Sequence, residues 1–172
     1  LKRGELELRE THERLQDSER LYREQATRLA TLFDSVEDAI VVISASGKIE
    51  SWNRGAEHLF GHTASEIVGK DARMLLPEPH ASQLSRYIQT GERIDAGRIE
   101  MEGRHSTGRL IPIEVSNREM IINELRLYVA VLHDISVRRE SERRKSEFVS
   151  TISHELRTPL TSIAGSLTLI SG

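Results

Sequence analysis

The sequence contains no cysteine, which excludes disulfides, zinc ribbons and cysteine nucleophiles. It also lacks any run of about 18 apolar residues, so no segment reads as a membrane-spanning helix. The expected location is cytoplasmic, and whether a longer parent protein is attached to a membrane is left open by the sequence. A marked excess of either charge is lacking too: Lys+Arg 24 against Asp+Glu 27 leaves a net charge of -3 over 172 residues. That field is too weak to make nucleic acid or an anionic membrane surface an expected partner. Aromatics make up 4%, hydrophobic residues 37% and charged residues 30%, a composition poorer and saltier than that of an average globular domain. It fits a compact core joined to solvated helices. The length admits one ordinary domain with helical extensions or two small modules. Leu1 is not an initiator Met, and the chain reads as a piece of something longer.

Residues 1–30 carry seven basic and seven acidic side chains, among which Leu1, Leu8, Leu15, Tyr22 and Leu29 recur every seventh residue. This is a heptad without Gly or Pro after Gly4. Its second seam position is poor (Glu5, His12, Glu19, Ala26, Phe33), so a coiled coil here is weak unless it continues a longer helix. A single solvated helix held by Glu/Arg pairs is the alternative.

From about residue 31 the pattern changes. Ala39-Ile40-Val41-Val42-Ile43 is β-branched, Ser46-Gly47 supplies a turn, and Ile49-Glu50-Ser51-Trp52 resumes an extended segment, which together read as a hairpin. Asn53 is placed to cap a short helix that Gly61 closes. Thr63-Ala64-Ser65-Glu66 has the spacing of a capping box. Pro77 and Pro79 stop any helix at Leu76, and a further helix is expected over 82–89. Strands are expected over 97–104, 110–118 and 125–134, the last with Leu127, Val129 and Val131 on one face. The expected fold class is α+β: a five-stranded antiparallel sheet with short helices on one face, flanked by an N-terminal coiled-coil helix and a C-terminal signalling helix.

Over residues 31–136 the chain resembles a PAS sensor domain. The resemblance rests on Ile49-Glu50-Ser51-Trp52-Asn53, Leu59-Phe60-Gly61, Glu66-Ile67-Val68-Gly69-Lys70, the turn containing Gly108, and Asp134-Ile135-Ser136. None of these is catalytic, so the resemblance implies a fold and not a ligand.

Residues 137–147 hold five basic and three acidic side chains and read as a helical linker. Beyond it, in 148–172, Val149, Leu156, Ile163 and Ile170 repeat at seven, with Ile152, Pro159 and Ser166 at the partner position, so this helix needs a second helix to cover its stripe. The run Phe148-Val149-Ser150-Thr151-Ile152-Ser153-His154-Glu155-Leu156-Arg157-Thr158-Pro159-Leu160 looks like the phosphoacceptor box of sensor histidine kinases. With Val149 at position a and Ile152 at d, His154 falls at f, opposite the seam. Imidazole in water is mostly neutral at about neutral pH, which leaves one ring nitrogen able to attack phosphorus. The resemblance implies three roles. His154 is the phosphoacceptor, Glu155 the general base that takes the ring proton, and Thr158 the residue that positions water for dephosphorylation. Pro159 removes a helix hydrogen bond to the carbonyl of Glu155 at a cost of about 3 kcal/mol and permits a bend beside the reactive residue.

No Gly-rich nucleotide loop is present, nor a carboxylate set spaced for magnesium. ATP and Mg2+ are therefore expected to act through a separate histidine-kinase ATP-binding domain, and the chain alone is expected to be inactive. The other implied partners are a response-regulator receiver domain and a second copy in a parallel homodimer.

Leu75-Leu76-Pro77-Glu78-Pro79 and Gly97-Arg98 also resemble heme-based oxygen sensors. The position of their iron-binding His is Leu84 here, and His80 lies nearly one turn too early, so heme is not expected. Flavin photochemistry by thiol addition needs a cysteine; noncovalent flavin or a small metabolite stays open, and the PAS ligand is unknown. His12, His58, His62, His105 and His133 show no metal-ligand spacing. The alternatives to a sensor-kinase fragment are a noncatalytic PAS dimerisation and signalling adaptor, or a heme or flavin sensing module.

Overall fold

With no proline before residue 77, the N-terminal charged segment is free to stay helical, and Lys2–Ser35 forms one helix, α1. This computed structural model describes residues 2–91 and 97–170, with side chains over 8–91 and 97–155. Ion pairs one turn apart, Arg20 with Glu24 at 2.9 Å and Arg23 with Glu19 at 2.6 Å, brace the solvated faces, each adding about 0.3–0.5 kcal/mol. The heptad residues Leu8, Leu15, Tyr22 and Leu29 are 66–72% exposed. Among the described residues this apolar seam is left open to solvent.

The chain divides into two units, residues 1–133 and 134–172. In the first, β1 (Ala39–Ser44), β2 (Ile49–Trp52), β3 (Ile99–Arg104), β4 (Leu110–Ile122) and β5 (Leu125–Asp134) form one sheet in the order β2-β1-β5-β4-β3. Between β2 and β3 run α2 (Arg54–Phe60), α3 (Ala64–Ile67), a 3-10 turn (Ala72–Leu75) and α4 (His80–Thr90). Buried Val41, Ile43, Trp52, Phe60, Ile113 and Tyr128 form part of the core. The second unit is dominated by α5 (Ser136–Ile170).

The expected punctuation is present. Asn53 caps α2 through its side chain, and Gly61 ends that helix at φ 71°, a left-handed conformation that glycine adopts without strain. At α3 the Glu66 carboxylate accepts from the Thr63 backbone N–H at 3.0 Å. That bond, with the Thr63 hydroxyl second, holds the Glu66 carboxyl below its ordinary value.

Two expectations need correction. The helix expected over 82–89 begins two residues earlier, because the chain is already helical directly after Pro79. The strand expected from residue 97 begins at Ile99, and β4 runs to Ile122 instead of 118. Its extension meets β5 through Asn123 and Glu124, at φ 48° and 65°, a two-residue reversal with the paired left-handed residues of a type I′ hairpin. On β5, Leu127, Val129 and Val131 share one face as expected, and the buried row is the other one, with Tyr128 and Leu132, while Val131 is exposed. Both rows of β5 are apolar, so alternation could not choose between them. Pairing with β1 does choose, since Tyr128 sits opposite Ile43, Ala130 opposite Val41 and Leu132 opposite Ala39.

One buried side chain joins α1 to this sheet. Asn53 is fully buried. Its Oδ1 accepts from the N–H groups of Ile40 at 2.8 Å and Ala56 at 2.9 Å. Its Nδ2 donates toward the carbonyls of Asp38 at 3.0 Å, Phe33 at 3.2 Å and Val36 at 3.4 Å. Nearby, the Arg54 N–H donates to the Asp34 carboxylate at 3.3 Å. A Cβ at Gly55 would stand 2.4 Å from the Asp38 carbonyl oxygen and 2.6 Å from that of Glu37, so only glycine lets α2 approach the α1–β1 connection this closely. His133 on β5 closes the same corner, its Nδ1 lying 2.6 Å from Asp38 Oδ1.

Replacing Asn53 by Ala strands two buried N–H groups and uncaps α2. Each unsatisfied buried group costs about 1–3 kcal/mol. The expected result in urea denaturation is a loss of about 3 kcal/mol with an unchanged denaturant slope. A loss below about 0.5 kcal/mol would show that water replaces the amide without penalty.

Candidate functional site

Helix α5 places the candidate phosphoacceptor by simple periodicity. At about 100° per residue, His154 lies about 170° from the midline between Val149 and Ile152. Val149 and Ile152 are 62% and 40% exposed, so the apolar side of the helix is open in the single chain. His154 and Glu155 are both exposed. Thr158 follows one turn after His154 along the helix, which runs unbroken through Pro159. The side chains of Arg157, Thr158 and Pro159 lie outside the described residues.

The first turns of α5 are held by charge. The Asp134 carboxylate accepts from the Ser136 N–H at 2.8 Å. Further along, Glu140 receives Arg143 Nε at 3.0 Å and Arg144 Nε at 2.8 Å, while Arg143 also reaches Glu147. The hydrogen bonds from Arg143 and then Arg144 hold the Glu140 carboxyl down to about 2 from an ordinary value of 4.5. This stretch is a ladder of exposed ion pairs with no dry seam.

The sensor unit contains an interior cavity of about 80 Å3, bounded by Ile43, Phe60, Leu84, Met101, Tyr128 and Leu132 among others. Its polar lining is His80, Gln83 and Asn117, along with the hydroxyl-bearing Tyr87 and Tyr128. His80 Nδ1 is 3.0 Å from Gln83 Oε1, and Tyr128 donates its hydroxyl to the Ile88 carbonyl at 3.2 Å. Sequence reading did not single out Gln83 or Asn117. The available signal for Asn117 was its place on β4, two residues from Val115 and four from Ile113, on the row that faces inward.

At the position that the resemblance gives to the iron-binding His the chain has no heme ligand, although His80 also lines the cavity. Leu84, at the position of the iron-binding His, lines the cavity with a side chain that has no donor atom. Arg98 is 74% exposed and bonds Glu114 at 3.0 Å, so it serves a surface ion pair on β4. Among the described residues no group of three or more His, Cys, Asp or Glu is placed to hold a metal. None of the described helices is long and apolar enough to cross a membrane.

Order of strands, the inward helices and the motif on α5 define a sensor domain joined to a phosphoacceptor helix. Residues 27–135 match the PAS fold family and residues 144–172 match the His Kinase A (phospho-acceptor) domain. The chain belongs to the PAS family. Among curated proteins it is 28% identical to the sensor protein FixL of Bradyrhizobium diazoefficiens, over 87% of this chain and 35% of that protein. It is 31% identical to the cell-division control histidine kinase PdhS of Brucella anthropi, over 87% of this chain and 16% of that one. The chain thus spans about a third or less of the length of these relatives. Among solved structures, the PAS domain of an HTR-like protein from Haloarcula marismortui superposes with a TM-score of 0.62 at 21% identity, covering 70% of this chain and 99% of that one. A PAS domain from Colwellia psychrerythraea gives 0.55 at 27% identity, covering 64% and 97%.

The Glu140 ladder makes a pH prediction. A carboxyl depressed in the helix contributes stability that is complete above the ordinary 4.5 and lost as pH falls through about 2. Carboxyl NMR should therefore find Glu140 titrating at about 2, and Arg143→Gln with Arg144→Gln should return it toward 4.5. Because the pairs are exposed, about 1 M salt should do much the same. Titration of Glu140 at its ordinary value in the wild-type chain would remove the ladder as a feature of the solution structure.

Proposed function

We propose that this chain is the sensor-to-phosphoacceptor portion of a two-component sensor histidine kinase, in which the PAS unit controls phosphorylation of His154. The observation that carries the reading is the exposed His154–Glu155 pair on α5, turned away from the apolar Val149–Ile152 side, within a segment that matches the His Kinase A phosphoacceptor domain. In this reading one nitrogen of the His154 imidazole attacks the γ-phosphorus of ATP carried with Mg2+ on a separate ATP-binding domain. The bond to the bridging oxygen breaks, ADP leaves, and the proton on the other ring nitrogen passes to the Glu155 carboxylate. An aspartate of a response-regulator receiver domain then takes the phosphoryl group from His154. Thr158, one turn on, orients the water that later hydrolyses the receiver's acyl phosphate.

The same reading supplies a second copy for the open seams. Leu8, Leu15, Tyr22 and Leu29 at one end, and Val149 and Ile152 at the other, are exposed in one chain. A parallel homodimer buries both rows, each fully buried Leu or Val side chain contributing about 1.5–3 kcal/mol. Between the two ends, the charged stretch over 137–147 holds its own ion pairs and no apolar seam, so a change of helix rotation there costs little core packing.

Mixed with a histidine-kinase ATP-binding domain and ATP, the chain should acquire acid-labile, base-stable phosphate that His154→Gln abolishes; label persisting in that variant would move the acceptor elsewhere. Glu155→Gln should slow the single-turnover transfer by about 10²- to 10⁴-fold, whereas Thr158→Ala should spare it and reduce receiver dephosphorylation. In a completed kinase, one residue inserted between Ser136 and Phe148 rotates the seam by about 100°, and seven restore it nearly in phase. Activity should oscillate with insertion length. A smooth decline would mean that the linker acts as a loose tether.

A further inference from the structure

Three turns of α5 put one row of side chains below His154. At about 100° per residue, Arg143, Glu147 and Ser150 all lie within about 40° of its azimuth, and all three are exposed. Glu147 is paired with Arg143, which also holds Glu140. The carboxylate on this row is therefore compensated and drawn toward the turn before it, away from His154. Long side chains on a helix lean toward its N-terminus and cover the residues three and four positions back. For His154 those residues are Thr151 and Ser150, and each carries a hydroxyl. The two hydroxyls are not equivalent. Thr151 donates its only hydroxyl proton to the Glu147 carbonyl at 2.9 Å. Ser150 makes no such bond among the described residues, so its proton is available to an acceptor that arrives from outside.

A phosphoryl group is such an acceptor. Carried on Nε2, the ring nitrogen farther from the backbone, it brings anionic oxygens over the turn below, where Ser150 sits about 6 Å back along the axis. Hydrogen bonds to an ionised acceptor are shorter and stronger than those between neutral groups. We propose that Ser150 is a further residue of the phosphoacceptor site, its hydroxyl donating to a nonbridging oxygen of the phosphoryl group as that group settles on His154. The proton stays on Ser150; the hydroxyl holds the incoming group and offsets part of its charge, while Glu155 takes the ring proton. This inference rests on reading His154 as the phosphoacceptor, and it adds a contact to the group transferred there.

The test uses the whole chain and phosphoramidate, a small phosphodonor that needs no kinase domain. The imidazole nitrogen bonds to phosphorus, the donor's P–N bond breaks, and ammonia leaves with the ring proton as ammonium. The His154 product is recognised in 31P NMR as the resonance that His154→Gln removes. Ser150→Ala should slow its appearance about three- to tenfold and move its chemical shift. Thr151→Val, which deletes only the hydroxyl already bonded to the backbone, should do neither. Alanine favours a helix over serine, so circular dichroism should show α5 intact in the Ser150 variant. A Ser150→Ala rate equal to the wild type would overturn the proposal, as would an equal loss in Thr151→Val. A slower rate with an unmoved 31P resonance would overturn it too, since a contact to the phosphoryl oxygens must change their shielding. The same proteins are then mixed with a histidine-kinase ATP-binding domain and ATP. Failure of ATP to label His154, with the Ser150 effect on phosphoramidate intact, would count against the kinase reading alone. Equal labelling of wild type and Ser150→Ala by both donors would count against the Ser150 contact alone.

Discussion

The carboxamide of Asn53 is the constraint on which the sensor unit depends. One buried side chain bonds backbone groups from the end of α1, the first residues of β1 and the first turn of α2. Five backbone groups at the junction of a helix and a sheet meet in this one carboxamide. The alternative is a buried helix end with orphaned carbonyls, which native proteins avoid. Because the partners are all backbone, the geometry is insensitive to the side chains around it and demands the particular shape of Asn. Asp would keep the acceptor but lose both donors, and Ser is too short to reach across.

Local signals in the sequence were readable because their causes are local. Asn53, Gly61 and the Thr63–Glu66 pair each act on a backbone group within about one helical turn, and their residue types follow from φ and from orphaned N–H groups. The same Asn53 does more than cap, and its bonds to Phe33 and Val36 were invisible, since they join residues 17 and 20 positions away. Which face of β5 is buried was not legible for a related reason. Tyr128, Ala130 and Leu132 compete with Leu127, Val129 and Val131 as equally apolar rows, and only the partner strand decides. The cavity belongs to neither class. It is what packing leaves over between α4 and the sheet, so no single residue announces it.

On α5 the balance of legibility is reversed. Heptad spacing and the residues around His154 speak to chemistry directly, because a reactive side chain must be both exposed and fixed in azimuth relative to a seam. Helix geometry supplies the azimuth from residue count alone. What residue count does not supply is the state of the charged turns before it, where Glu140 is shared by two arginines. That sharing raises local helix stability without creating an apolar contact that would lock one rotation.

Gly55 has a consequence for modular engineering. With the carbonyl oxygens of Glu37 and Asp38 pressed against the position of its absent Cβ, the connection between α1 and β1 contains no slack, although on paper it is a short loop between two recognisable elements. A chimera that grafts a foreign input helix onto this sensor at residues 36–38, the obvious seam in an alignment, would cut through the only backbone that fits under α2. The transplantable boundary lies a turn or more upstream, before Phe33, where α1 is exposed in the single chain and a helix with the same heptad row in the same phase can be spliced.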